Sequence, residues 1–446
     1  MNWILIKDFK NNMYTSEMPL QKEELLRYQA QLFDPTSLAP WQQRGLKALE
    51  SLDFPTTRHE EWKYTNLQRL LKLPFAISPG QELLASERPH WPGQSPEGHQ
   101  IVLVNGFFRP DLSHIHHPAS ELLVLPLCQA STQYPDLIKA HLDRYTRTEE
   151  EALTAFNAAF AQDGLFVYVP ARSEVREPIF VHQITDSRLH NTFAQPRMLW
   201  VFEEGSRAVL VDQLQTLGQN ASWNNAVSEI YVGEKAHIQH YKIQNDHPKA
   251  HLTQTTEVHQ KGQSIYENIT ISLNGGLLRN NLHIALEGEH IESNMFGLFM
   301  LTGQTLVDNH SIADHRQPNS VSNELYKGIL DEHSTGVFNG KIYVRPQAQK
   351  TNAYQQNRTI LLKDTASINT KPQLEIWADD VKCSHGATTG NLDESSLFYL
   401  RARGVPEAQA RALLIRAFGN EIVEKIKLAP LRQYLEQEID ARLGAV

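Results

Sequence analysis

Cys383 and His385 stand two positions apart in the stretch DDVKCSHGATTG (379–390). In a β-strand, residues i and i+2 project from one face. A thiol and an imidazole can therefore address one point, and Asp379 joins them if the strand stays regular that far. Thiolate and imidazole together suit zinc or iron, or a nucleophile with its base. A closed structural metal site takes four ligands. No second CxxC, CxH or HxH lies close by, and the only other cysteine, Cys128, belongs to a different part of the chain. Two readings stay open on spacing alone. One is a small buried thiol beside a hydrogen-bonded histidine. The other is an incomplete site at a subunit interface, completed by another protein.

Other motifs supply no complete catalytic set. GVFNGK (336–341) has one residue too few between its glycines for a phosphate loop and lies among strands. There is no GxGxxG opening a helix, no GxSxG and no HExxH. HIHH (114–117) and HIQH (237–240) could bind metal, but a chain with 20 histidines contains such pairs by chance. They read as surface or satisfied histidines, and no carboxylate follows them at the spacing of a cupin. Glu203, Glu204 and Asp212 fall mainly at turns, not as the paired carboxylates that a β-helix carbohydrate-active enzyme would need.

The elements that carry these residues change character along the 446-residue chain. Residues 1–164 read as mostly helical. Leu25, Tyr28, Leu32 and Phe33 recur at helical spacing, Pro40 and Pro55 bracket a second helix, and a third runs from Thr148 to Gly164. A strand is expected over 100–108. From 165 to 390 come short runs rich in β-branched and aromatic residues, with turn formers from Gly205 to Pro318 every 13 to 15 residues. Such spacing predicts a β-solenoid, each interval being part of a coil. Val209, Ile230, Ile238, Ile269, Ile271, Leu282 and Ile284 are expected to point inward. Residues 391–446 form a C-terminal helical module, with Gly404 ending its first helix and an apolar stripe through Leu413, Ala417, Ile422 and Ile426.

Composition excludes some classes of function. With 42 basic and 51 acidic residues, the net charge of −9 does not favour nucleic acid. No run approaches the ~20 apolar residues of a membrane helix, and the N-terminal apolar run is too short for a signal peptide. Two distant cysteines make no disulfide framework, so a cytoplasmic, reducing setting is expected.

Several stretches resemble the SufB/SufD family of iron–sulfur cluster assembly proteins, in particular its SufD branch. They are RHEEWKYTNL (58–67), AFNAAFAQDGLFVYVP (155–170), PIFVHQ (178–183), the long segment 351–404 containing PQLEI and DDVKCSHGAT, and RALLIRAFGNEIV (411–423). The resemblance implies a right-handed parallel β-helix core between N-terminal and C-terminal helical domains, a fold class that is mainly β. It implies a complex with SufB and the ATPase SufC, in which the two β-helices pair and SufC binds the C-terminal helices. It implies a non-enzymatic scaffold with no cofactor held tightly by the isolated chain, a nascent iron–sulfur cluster shared with SufB, and a part in iron acquisition. The family's ligand in this branch corresponds to His385, and Cys383 belongs to the same interface with a weaker case. Gln356 stands where SufB has its acceptor cysteine, so this chain lacks that thiolate. A homodimer of the isolated chain stays open.

Overall fold

The computed structural model describes residues 17–26, 39–77, 83–89, 91, 93–95 and 97–444. Its centre is a stack of parallel strands in two sheets. From Arg207 onward, successive strands alternate between a ten-stranded and a twelve-stranded sheet, and each pairs with the strand two places along. A parallel neighbour can be reached only by a crossover, and here the crossover is itself a strand of the opposite sheet. Along the ten-stranded sheet the register joins Arg207 to His237, His237 to Ile265, Ile265 to Glu292, Glu292 to Val321, Val321 to Asn352 and Asn352 to Lys382. Those steps of 27 to 31 residues make one coil, so the turn spacing seen in the sequence is half a coil. Gly205 and Gly303, at φ +67° and +65°, take the left-handed turn conformation that favours glycine.

Side chains alternate along every strand. Ile230, Ile238, Leu282 and Ile284 point between the sheets and pack with Tyr266, Phe299 and Phe338. Val209, Ile269 and Ile271, expected inward as well, face outward. They join a second cluster with Ile415, Ile422, Val423, Leu431 and Leu435 of the C-terminal helices. A two-residue period identifies faces but not which face is internal, and here both faces of the ten-stranded sheet are covered. The interior is not uniformly apolar. Asp212, His240, Lys242 and Glu324 are buried inside it. Burial raises the Asp212 carboxyl and lowers the Lys242 amine to about 8.

The C-terminal helices are Glu394–Ala402, Glu407–Val423 and Ala429–Arg442. Asp393 caps the first by accepting from the amides of Ser395 and Ser396, and Gly404 at φ +88° follows its end, as expected. The buried stripe of the second helix differs from the expected one. It runs through Ala410, Ile415, Gly419, Ile422 and Val423, while Leu413 and Ala417 face solvent. This helix lies on strands Glu292–Leu301 and Val321–Leu330, with Gly419 against Leu298 and Ile329. Each fully buried aliphatic side chain there contributes roughly 1.5–3 kcal/mol. Removing the helices would bare Ile269, Ile271, Leu298 and Ile329 together. The module and the solenoid therefore share one core.

At the other end, helix Pro40–Ser51 forms as expected and packs on helix Ala152–Phe160. Tyr28, Leu32 and Phe33 lie outside the described residues. Strand His99–Val104 pairs in parallel with Ile179–Asp186, and Pro74–Ile77 with Thr192–Ala194, so the sheets take in strands that precede residue 165. Thr148 does not open the helix after it. Its hydroxyl donates to Asp143 Oδ1 at 2.6 Å, and Glu151 occupies the cap position. Gly164 is required for a different reason than ending that helix: a Cβ there would stand 2.0 Å from the Arg197 carbonyl oxygen.

Arg197 itself ties the two regions together. Its fully buried guanidinium donates to Glu229 Oε2 at 2.6 Å and to Asp143 Oδ1 at 3.3 Å. Glu229 also accepts the backbone amides of Asp143, Arg144 and Tyr145 at 2.8 to 3.1 Å. Arg44, on the first helix, reaches Asp143 Oδ2 at 2.8 Å.

Candidate functional site

The last strand of the ten-stranded sheet, Lys382–Gly390, holds Cys383 and His385. Their register partners one coil below are Ala353 and Gln355, both fully buried and facing the interior. Cys383 and His385 thus share the inward face, as their spacing predicts. Cys383 packs against the solenoid core, and burial pushes its thiol up, so it is a neutral thiol at neutral pH. His385 is exposed, because no further coil lies above it. Asp379 does not join them: regular pairing starts only at Lys382, and Asp379 sits in the preceding turn. Gln356 points outward, where its Oε1 accepts from Arg358 at 2.7 Å. Cys128 lies in helix Leu127–Gln133, which packs at the opposite end of the stack.

Beneath His385 runs a column of polar side chains that the motif search missed. Gln355 Nε2 donates to Glu324 Oε2 at 2.7 Å, and Ser311 Oγ donates to the other oxygen of Glu324. Gln355 Oε1 is buried without a hydrogen-bond partner among the described residues. The intervals between positions 324, 355 and 385 are one coil each, so the coil length was the signal that could have found them.

Glu324 is fully enclosed, and burial pushes its carboxyl up from 4.5 to about 7. An acid whose folded pKa is raised stays neutral in the native chain while the unfolded chain ionises. Stability then falls as pH rises from 4.5 to 7 and levels off above. Glu324→Gln keeps a neutral, isosteric group that can still accept from Ser311. The stability difference, variant minus wild type, should grow by about 3 kcal/mol between pH 4 and pH 8. Urea midpoints across that range measure it, and a difference independent of pH would rule the assignment out.

Among the described residues, the last coil also presents two strands with an unpaired edge, Lys382–Gly390 in one sheet and Ser367–Ile376 in the other. Trp377 and Tyr354 are close to half exposed near them. The other histidine motifs separate. His240 of HIQH is buried inside the solenoid, where Nδ1 meets the Tyr266 hydroxyl at 2.9 Å, so it is a satisfied core histidine. His117 of HIHH meets His99 and Glu177. Asp212 is enclosed by Gln183 and Gln254, out of reach of a polysaccharide. A cavity of about 820 Å³ lies outside the twelve-stranded sheet, lined by Glu61, Arg279, His283 and Lys341 among others; Lys341 pairs with Glu61, Arg279 with Asp308, and His283 Nδ1 stands 2.8 Å from Glu257. Among the described residues no helix is long and apolar enough to cross a membrane.

These features define a helix-flanked parallel β-solenoid whose final coil is open and bears an exposed imidazole. Residues 183–418 match the model of the SUF system FeS cluster assembly SufBD core domain, and residues 22–181 match that of the SufBD protein N-terminal region. A SufBD-family iron–sulfur cluster assembly protein of Synechocystis is 35% identical over 88% of both chains. The iron–sulfur cluster assembly protein SufD of Escherichia coli is 28% identical over 92% of this chain and 93% of its own. SufD of Bacillus subtilis is 25% identical over 70% of this chain and 72% of its own. The chain belongs to the SufBD family of the SUF system of iron–sulfur cluster assembly.

Proposed function

We propose that this chain is a non-enzymatic scaffold subunit of a SUF assembly complex, paired with SufB through its open last coil and carrying the ATPase SufC on its C-terminal helices. The nascent iron–sulfur cluster is the cargo of that complex. His385 is the ligand this chain contributes to it, with thiolate from SufB. The observation that carries the reading is the open end itself: two strand edges without partners, around an imidazole at the mouth of the solenoid. Unpaired edges are templates for another chain. Cys383 is the weaker candidate, since its thiol is neutral and turned to the core. Once a partner covers the mouth, the buried Gln355 Oε1 stands one coil from the His385 ring and can accept its N–H. Such a bond fixes the tautomer and leaves the other nitrogen for metal. The missing phosphate loop agrees with ATP hydrolysis on a separate subunit. Co-expression with SufB and SufC tests the reading: a ternary complex on gel filtration supports it, and a chain that elutes without either partner overturns it.

The C-terminal helices leave Phe398, Tyr399 and Leu413 73%, 57% and 50% exposed, apolar surface that a partner of this kind covers. Phe398→Ala combined with Tyr399→Ala should weaken SufC retention about tenfold or more while leaving the thermal midpoint and SufB pairing unchanged. Point variants are the better tool than truncation after Gly390, which would strip the covered face of the sheet. Undiminished SufC binding by the double variant would remove the helices from this role.

A further inference from the structure

Far from the open coil, the fold gathers a second set of metal-ligating groups from three separate segments. His99 opens strand His99–Val104. A bridge between Gln100 and His114 draws the HIHH stretch alongside, with both backbone bonds at 2.7 Å. Glu177 stands just before strand Ile179–Asp186, whose first residue is the register partner of His99. One ligand atom from each of His99, His117 and Glu177 lies within 4.8 Å of the others.

His117 Nε2 lies 2.7 Å from Glu177 Oε2, and His117 Nδ1 lies 2.8 Å from Glu121 Oε2. Nε2 thus faces Glu177, while Glu121 holds the ring from behind, as a carboxylate does on the far nitrogen of a metal-bound histidine. His99 has no exposed surface, and its Nε2 has no hydrogen-bond partner among the described residues. Burial holds His99 neutral, with its pKa lowered to about 4, while the bond to Glu177 raises that of His117. The side chains of His117 and Glu177 are 18% and 39% exposed, which leaves a path from solvent.

We propose that His99, His117 and Glu177 form a binding site for one divalent first-row transition-metal cation, with Glu121 as the group that positions His117. Two imidazoles and one carboxylate suit Fe2+, Co2+ or Zn2+ and disfavour the hard cations Mg2+ and Ca2+. Loading balances by protons. The ion replaces the proton shared between His117 and Glu177, which leaves to solvent. At His99, ligation through Nε2 moves the ring proton to Nδ1 and breaks the 3.2 Å bond from the His116 amide. The groups facing the site are His114, His116, Glu121 and Glu177, whose rings and carboxylates share the same pocket.

Anaerobic titration of the metal-stripped full chain with Co2+, read by visible absorption and competed with Zn2+ and Fe2+, tests the site. One ion per chain is expected. His117→Ala and Glu177→Gln should each weaken binding tenfold or more, and Glu121→Gln roughly 10- to 100-fold. The metal-free thermal midpoint checks folding, and if His117→Ala does not fold, the more exposed Glu177 carries the test. Mg2+ should not compete. The proposal is overturned if the wild type takes up neither Co2+ nor Zn2+, if these variants bind as it does, or if uptake is lost in His385→Ala instead.

Discussion

Replacing His385 with Ala is expected to leave a complex with SufB and SufC that elutes like wild type but holds about tenfold less iron and sulfide, or less still. The side chain is exposed at the end of the stack, so its removal empties no core volume and breaks no hydrogen bond among the described residues. What it removes is a nitrogen ligand, and the groups that support metal-bound histidines are themselves worth 10- to 100-fold in affinity. Cys383→Ala or Cys383→Ser should have a smaller effect, because the thiol is neutral and packed inward, and SufB can supply thiolate. Iron and acid-labile sulfide per complex are the measurement, with gel filtration as the control for assembly. Wild-type cluster content in His385→Ala would remove His385 from the ligands of the cluster.

The second large effect is on stability. Arg197→Met should lower the free energy of unfolding by about 3–5 kcal/mol, because it leaves the buried carboxylate of Glu229 without its cation and Asp143 with Arg44 alone. That is a large fraction of a typical margin of 5–15 kcal/mol. Glu229 keeps its three amide donors, which hold the 143–145 turn, so the loss comes from unpaired charge more than from lost shape. Arg197→Lys should rescue part of the loss, since both carboxylate contacts come from one nitrogen, Nη2, and an ammonium gives up the Nη1 bond to Asn157 Oδ1 at 3.4 Å. Arg44→Ala, removing a half-exposed partner of Asp143, should cost under about 1 kcal/mol. Urea unfolding with an unchanged m-value measures all three. A loss below about 1 kcal/mol for Arg197→Met would mean that water enters the cluster.

The solenoid was legible because its turns recur at half-coil intervals, and the C-terminal helices because Asp393 and Gly404 mark their boundaries. The orientation of Ile269 and Ile271 was not, since alternation is blind to a helix that covers the outside of a sheet. Leu413 and Ala417 were misjudged for a related reason: the helix carries more than one set of apolar residues, and only packing selects among them. At the site, Cys383 and His385 could be placed on one face from their spacing alone. Gln355 and Glu324 could have been placed by adding the coil length, whereas the condition for Asp379, a strand regular as far back as 379, fails because pairing begins at Lys382. His99 and Glu177 gave no local signal, because their meeting with His117 depends on register between segments far apart in the chain.

A stack of coils has a direction of cooperativity. Every interior coil is held by neighbours above and below, whereas the coil containing Lys382–Gly390 has a neighbour on one side only. In such a quasi-one-dimensional array the free energy of local opening is least at an uncapped end. The segment that bears His385 is therefore the place where the chain frays most readily. A partner that docks there supplies the missing neighbour and turns an end into an interior. Assembly and the ordering of the ligand-bearing strand are then one event, and the imidazole becomes fixed only when the second half of its site has arrived.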